Sequence, residues 1–417
     1  MCSPLKYPIL LLSALLTVHA GKAFGPADTA GKPPMLFAAA KVRQGSLLEQ
    51  ESFVMRDYYM SLDVRLGRQT DDRNGSAFDA AYRYPKYGVG YYMGNMNGII
   101  LGADTLFASL GKPAALYAFF GAPVYCGRVL TVGYGLSAGL SYNFNAYDPQ
   151  HNPFNILIGS RNNAYIELSL DLWLPLPGRS ALAAGVSFQH FSNGAYQKPN
   201  YGVNLISSTL TYQWSTYRNR DKGYAPVAQP EGARGVEWST FVGGGVRMLD
   251  ADFDRRNPRE GRRWTCLTLS SVVYRQVSLR RKWGAGVDVL YYEWGDYVSR
   301  YRAAHEALVQ GGVPWPSQQQ VREAMEGHDR LSPNNVTLGL YASHEVGYKR
   351  LWLATDVGFY PLPRVGDNPT SLLIYERLGL RVELTDRLFV GVAIRAHGLM
   401  ADYTEWTVGY RVVRRKG

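Results

Sequence analysis

From Leu130 to Phe144 the even positions read Leu, Val, Tyr, Leu, Ala, Leu, Tyr and Phe, and the odd positions hold Thr, Gly, Ser and Asn. Residues 164–176 repeat the pattern, with Ile166, Leu168, Leu170, Leu172 and Leu174 on one side and Glu167, Ser169 and Asp171 on the other. Successive side chains of an extended chain point to opposite faces, so a period of two predicts strands with one apolar and one polar face. Eight such segments precede residue 217, near 35–43, 58–67, 84–93, 113–124, 130–146, 163–176, 180–192 and 202–216. Eight more follow, near 236–249, 264–278, 282–294, 334–348, 351–362, 372–384, 388–397 and 401–412.

An apolar face belongs either to the core of a soluble sandwich or to the lipid side of a membrane barrel. Three features choose the barrel. The first twenty residues read as a secretory signal, with Lys6, the apolar run Ile9 to Val18, and Val18-His-Ala20 as the cleavage site. Cys2 precedes that run, which argues against a lipoprotein anchor. Beyond the signal no apolar run reaches the roughly 18 residues of a helical span, whereas the strands have the length of a tilted β crossing, about 9–11 residues or more. Composition agrees, with 30 Tyr, 9 Trp and 44 Gly and aromatic residues at strand ends.

Loop lengths give the orientation. The connections at 175–179, 278–282, 348–350 and 385–387 are short and fall on one side, while 147–162, 250–263 and 295–333 are long and fall on the other. Outer-membrane barrels pair short periplasmic turns with long external loops in this way, and an even strand number puts both termini in the periplasm. The fold class expected is therefore an all-β, antiparallel transmembrane β-barrel of about 16 strands, as one large barrel or two eight-stranded units. Base rates favour the single barrel. Residues 217–235, rich in charge, Gly and Pro, read as a linker or long turn between a region 35–216 and a region 236–412. The halves echo one another: Tyr375-Glu-Arg-Leu-Gly-Leu resembles Tyr165-Ile-Glu-Leu-Ser-Leu.

The net charge of +11 comes without any nucleic-acid motif, so an anionic membrane surface is the partner expected and nucleic acid is not. Cys126 and Cys266 admit a single disulfide or two packed thiols, and their spacing carries no zinc signature. No cofactor or metal is implied.

Candidate chemistry lies at the end of one alternating strand, in Gly185-Val-Ser-Phe-Gln-His-Phe-Ser-Asn-Gly194. His190 and Ser192 continue the face of Leu182, Val186 and Phe188, and Asn204 continues the face of Ile206, Leu210, Tyr212 and Trp214 on the next strand. Polar groups on a lipid-directed face are costly and are functional candidates, although a polar rim at headgroup level has the same composition. A serine nucleophile needs a base within hydrogen-bond reach and a group that orients the base.

The runs Ile158-Gly-Ser-Arg-Asn-Asn-Ala-Tyr-Ile166, His190-Phe-Ser-Asn-Gly194 and Pro199-Asn-Tyr-Gly-Val-Asn204 resemble the PagL-type lipid A 3-O-deacylases, also called acyloxyacyl hydrolase-like outer-membrane proteins. The likeness covers roughly 35–216 and is sharpest in 155–216. It implies His190 as base, Ser192 as nucleophile and Asn204 as the orienting group, with Asn193 and Asn200 stabilising the oxyanion. The family carries an acid where this chain has Asn204. An amide still accepts a hydrogen bond from imidazole but supplies no negative charge to an imidazolium. Outer-membrane phospholipase A is similar at the same place, with a His-x-Ser-Asn-Gly segment and an Asn at the matching offset.

The implied activity is an outer-membrane serine esterase of a Gram-negative bacterium that removes an ester-linked acyl chain from lipid A. The alternatives are a phospholipase A-like hydrolase and a non-enzymatic porin or structural barrel with a decayed site. Elsewhere, His397 is expected in a lumenal network with Glu405 and Arg411, with Leu399 in the place a nucleophile would take. The Arg-rich stretch 255–263 suits phosphate contacts as well as a solvated loop, and a helix is expected from Ser317 to Glu326 within 295–333.

Overall fold

The structure is a computed structural model that describes residues 35–48, 54–71, 75–103, 106–127, 129–217, 235–253, 261–325, 327–361, 373–398 and 400–415. The proposed signal and nearly all of the linker lie outside the described residues.

Strands in the first half are β1 (Met35–Leu47), β2 (Val54–Asp57), β3 (Tyr59–Gln69), β4 (Lys86–Asn95), β5 (Ile99–Ala103), β6 (Leu106–Ser109), β7 (Gly111–Cys126), β8 (Thr131–Phe144), β9 (Asn163–Pro175), β10 (Ser180–Ser192) and β11 (Val203–Ser215). Eight of them close a barrel in the order β1-β11-β10-β9-β8-β7-β4-β3, and β2, β5 and β6 form a small separate sheet. The second half contributes β12 (Gly235–Arg247), β13 (Trp264–Ser278), β14 (Arg281–Tyr292), β15 (Val336–Tyr348), β16 (Leu351–Phe359), β17 (Ile374–Glu383), β18 (Leu388–His397) and β19 (Met400–Arg415). These close a second barrel, with β12 pairing β19.

The expectation of one large barrel is thus corrected to two of eight strands. The reason is local: β1 pairs both β3 and β11, which uses both of its edges within the first half. An eight-stranded barrel is just wide enough for side chains to fill. The first lumen holds Lys41, Arg43, Asp63 and Glu167, all buried, in one network: Arg43 pairs with Asp63 and, at 2.6 Å, with Glu167, and Lys41 Nζ lies 3.1 Å from Glu167. The second holds Asp288, Asp356, Arg377, Arg395 and Glu405, with Arg377 Nε 2.6 Å from Asp356 and Arg395 Nη2 3.0 Å from Asp288. Lumens filled in this way do not offer the open channel of a porin.

The echo between the halves falls on equivalent strands, since β9 and β17 are each the sixth of their barrel. Tyr165 and Tyr375 are both fully buried in the lumens, and the next lumenal position carries Glu167 in one barrel and Arg377 in the other. Cys126 in β7 and Cys266 in β13 are thiols in different barrels.

External segments add helices. The expected helix at 317–326 is a shorter one, with Ser317 as N-cap and Gln320 completing a capping box. A longer helix, Gly295–Gln310, precedes it and was not expected from the sequence pattern.

The two barrels touch at both ends. On the external side Met248 N donates to the Ala195 carbonyl (2.9 Å), Lys198 Nζ pairs with Asp250 (2.9 Å), and the rings of Tyr147 and Phe253 meet edge to face at 5.4 Å. On the periplasmic side Tyr82 Oη donates to the Gly347 carbonyl (2.9 Å), Arg280 to the Ala81 carbonyl (2.7 Å), and Tyr348 Oη to Asp79. External loops therefore meet external loops and periplasmic turns meet periplasmic turns, so both barrels point the same way.

Candidate active site

Strand register places the site. In β10 the odd positions Ala183, Ser187, Gln189 and Phe191 are buried in the lumen, and Val186 is 53% exposed on the outer face. His190 and Ser192 share the parity of Val186 and so project outward. Across the ladder His190 is the direct partner of Asn204, whose parity is that of the exposed Ile206 and Leu210. Directly opposed residues have adjacent side chains. Accordingly, His190 Nδ1 lies 2.6 Å from Asn204 Oδ1.

Ser192, the last residue of β10, is only 3% exposed despite its outward direction. The segment that follows folds back over it. Gly194 N donates to Ser192 Oγ at 3.1 Å and Asn200 Nδ2 donates to the same oxygen at 2.9 Å. Asn193 holds this segment together. Its Nδ2 donates to Ser160 Oγ and to the Gln197 carbonyl, each at 2.9 Å, and its backbone N–H donates to Asn200 Oδ1 at 3.2 Å. The donors of Asn193 are therefore spent on the loop and on the orientation of Asn200, whereas Gly194, which the motif did not single out, presents an N–H to the serine.

Two glycines are required here. Gly194 has φ +61°, and a Cβ on it would stand 2.0 Å from Thr404 Oγ1 of the second barrel. Gly202 has φ +83°, and a Cβ there would stand 2.9 Å from Cε1 of His190. Both combine a left-handed conformation with an approach too close for a side chain.

His397 does not form a second site. Glu376 pairs with Ala396, which sets His397 level with Tyr375 at the lumenal position that Phe191 takes beside Tyr165. Its Nε2 lies 3.0 Å from Tyr360 Oη and its Nδ1 3.8 Å from Asp402. The expected partners are engaged elsewhere: Glu405 with Thr268 and Arg395, and Arg411 with Glu383 and Glu237. Leu399 and most of the Arg-rich stretch lie outside the described residues. Of that stretch, Arg262 stacks on Trp264 at 3.5 Å and Arg263 lies 4.8 Å over Tyr196 of the first barrel. Neither is a free loop cation.

Two closed antiparallel barrels with apolar outer faces and charged, filled lumens define an outer-membrane β-barrel protein. The family follows from sequence comparison. Residues 65–215 match the model of lipid A 3-O-deacylase (PagL), and residues 236–415 match that of the acyloxyacyl hydrolase C-terminal domain. The chain belongs to the PagL lipid A deacylase family, whose members are hydrolases of lipid A esters in the Gram-negative outer membrane. A search of curated protein sequences finds no match. Among solved structures, Neisserial surface protein A is similar over 44% of this chain and 97% of its own, at 12% identity and a TM-score of 0.28. The translocator domain of the autotransporter NalP from Neisseria meningitidis is similar over 98% and 97%, at 10% identity and a TM-score of 0.18.

Proposed function

We propose that this protein is a serine esterase that releases an ester-linked acyl chain from lipid A at the outer face of its first barrel. The observation that carries the reading is the pairing of His190 with Asn204 on the lipid-directed face, beside a serine whose oxygen receives two N–H donors. Asn204 presents an acceptor to His190 Nδ1, so Nδ1 holds the proton and Nε2 is left basic. His190 takes the Ser192 proton as Oγ bonds to the ester carbonyl carbon. The charge develops on the carbonyl oxygen, which is bonded to the carbon that Oγ attacks and is the atom Gly194 N–H and Asn200 Nδ2 would stabilise; such donors are each worth about 3–4 kcal/mol in acyl transfer. The intermediate collapses by breaking the bond to the sugar oxygen, which takes the proton from His190. Water then hydrolyses the acyl-enzyme with His190 again as base. In this reading Asn193 positions Asn200 and the donor next to the nucleophile is Gly194.

The test is lipid mass spectrometry on cells expressing the wild type or Ser192→Ala. Loss of one lipid A acyl chain only with the wild type is the result expected. Lysophospholipid with intact lipid A would reassign the substrate to phospholipids, and identical lipid profiles would remove the esterase.

A further inference from the structure

Between the barrels, bounded by the external and periplasmic contacts, lies a cleft that forms part of a continuous space of about 3260 Å³ reaching the external loops. Its first wall comes from the outer faces of β4 and β7–β9, including Leu116, Leu140 and Leu168, and its second from β16, β17 and β18, including Leu353, Leu380 and Ile394, with Leu267 of β13 and Trp406 of β19 at its external end. Ser192 lines the same space. The nearest element of the second barrel is close: Thr404 packs against the backbone of Gly194, two residues beyond the serine.

We propose that the second barrel is a substrate wall, and that this cleft holds the acyl chains of the lipid whose ester reaches Ser192; the inference rests on the esterase reading above. Four observations support that occupant. The space of which the cleft is part has several times the volume of a small-molecule pocket, typically about 300–1,000 Å³, and so has room for a lipid with several chains. Its walls are formed by the lipid-directed faces of both barrels, so it runs at membrane depth, where acyl chains and not water fill apolar space. The contacts at the two ends hold the barrels apart at the middle without closing it. Ser192 lies at the external end, where the ester linkages of an outer-leaflet lipid sit above its chains. A structural lipid between two barrels would need no nucleophile in its wall.

This assigns the C-terminal barrel a role in substrate binding without any catalytic group of its own. It also accounts for the burial of Ser192, since the serine sits in a seam and not on an open barrel surface.

Filling the second wall tests it. Leu380→Trp and Ile394→Trp place a large apolar ring in the cleft while keeping a lipid-compatible outer face. Deacylation of lipid A in vesicles is expected to fall at least 10-fold, with the loss shrinking as the acyl chains are shortened. Val273→Trp, on the lipid face of β13 away from the cleft, is expected to leave the rate unchanged. Heat-modifiable electrophoretic mobility verifies folding of each variant. Equal rates for the cleft variants and wild type would overturn the proposal. A second readout does not depend on turnover: Ser192→Ala protein in vesicles containing lipid A with a diazirine-bearing acyl chain is irradiated and digested. Labelling concentrated on β16–β18 and β7–β9 supports the cleft. Label spread evenly over the outer faces, or confined to the first barrel, overturns it. If short-chain esters are also hydrolysed equally by wild type and Ser192→Ala, the esterase reading fails, and the labelling pattern still decides the cleft.

Discussion

In the proposed esterase Asn204 stands where the family resemblance implies an acid, and the geometry says what that difference leaves intact. The amide oxygen sits 2.6 Å from the imidazole, so orientation and tautomer are kept while charge stabilisation of the imidazolium is lost. Asn204→Ala is expected to lower kcat about 100-fold or more with KM little changed, because what is removed acts on the base and not on substrate. Asn204→Glu, which adds a negative charge beside the imidazolium formed in the reaction, is expected to raise kcat. A kcat unchanged in both variants would mean that residue 204 does not orient the base. Gly202→Ala makes a sharper steric case. The new methyl group meets His190 Cε1 at 2.9 Å in a left-handed backbone. Activity should fall at least 10-fold while heat-modifiable mobility stays that of a folded barrel.

Among the elements, all sixteen barrel strands were legible from the period of two, because a lipid-directed face and a filled lumen impose opposite chemistry on alternate residues with little exception. The direction of His190, Ser192 and Asn204 followed from the same parity. What was not legible has local causes. β2, β5 and β6 are 4–5 residues long, too short for a period to register. The helix Gly295–Gln310 buries only its first turn, Gly295 to Val298, so its apolar stripe is brief and its remainder reads as polar loop. The donor proposed at Gly194 left no mark in the sequence because a backbone N–H has no side-chain signature; its contact with Ser192 Oγ exists only in the folded loop. That same helix carries a pH-sensitive anchor. Burial alone would raise the Asp296 carboxyl, but hydrogen bonds from the backbone N–H of Asp329 and from the side chains of Ser332, Arg300 and Asn334 outweigh it and hold the pKa at about 2. A depressed folded-state pKa contributes stability above the unfolded value of about 4 and loses it as pH falls towards about 2. Proteolysis of the 295–333 segment by an acid-active protease should therefore accelerate between about pH 4 and pH 2, and Asp296→Asn should be cut readily at every pH. Equal rates for both proteins at pH 5 would exclude the anchor.

At the scale of the molecule, alternation counts strands but does not say where a sheet closes, which is why one barrel and two satisfied the same sequence. Closure is decided by which edges pair, and each barrel here uses only its own strands, with the lumenal charges named above paired inside their own barrel. Stability should divide the same way. Glu167 faces Lys41, Arg43 and Arg65, and Glu167→Gln leaves those three cations with fewer carboxylates in a closed lumen. Removing one partner from a buried ionic network costs about 3–5 kcal/mol, because the remaining charges stay desolvated. The loss should be confined to the first barrel, since none of its strands pairs with the second. Tryptophan separates the two: Trp173 and Trp214 lie in the first half, and the other seven of the nine lie in the second. On heating or in denaturant, Glu167→Gln should lower the midpoint followed by protease accessibility of β1–β11 while the fluorescence transition, dominated by the second barrel, stays in place. Asp288→Asn, which strips the shared partner of Arg377 and Arg395, should do the reverse. If both probes shift together in both variants, the contacts at the two ends of the cleft join the barrels into one cooperative unit, and the seam beside Ser192 is then as rigid as either barrel wall.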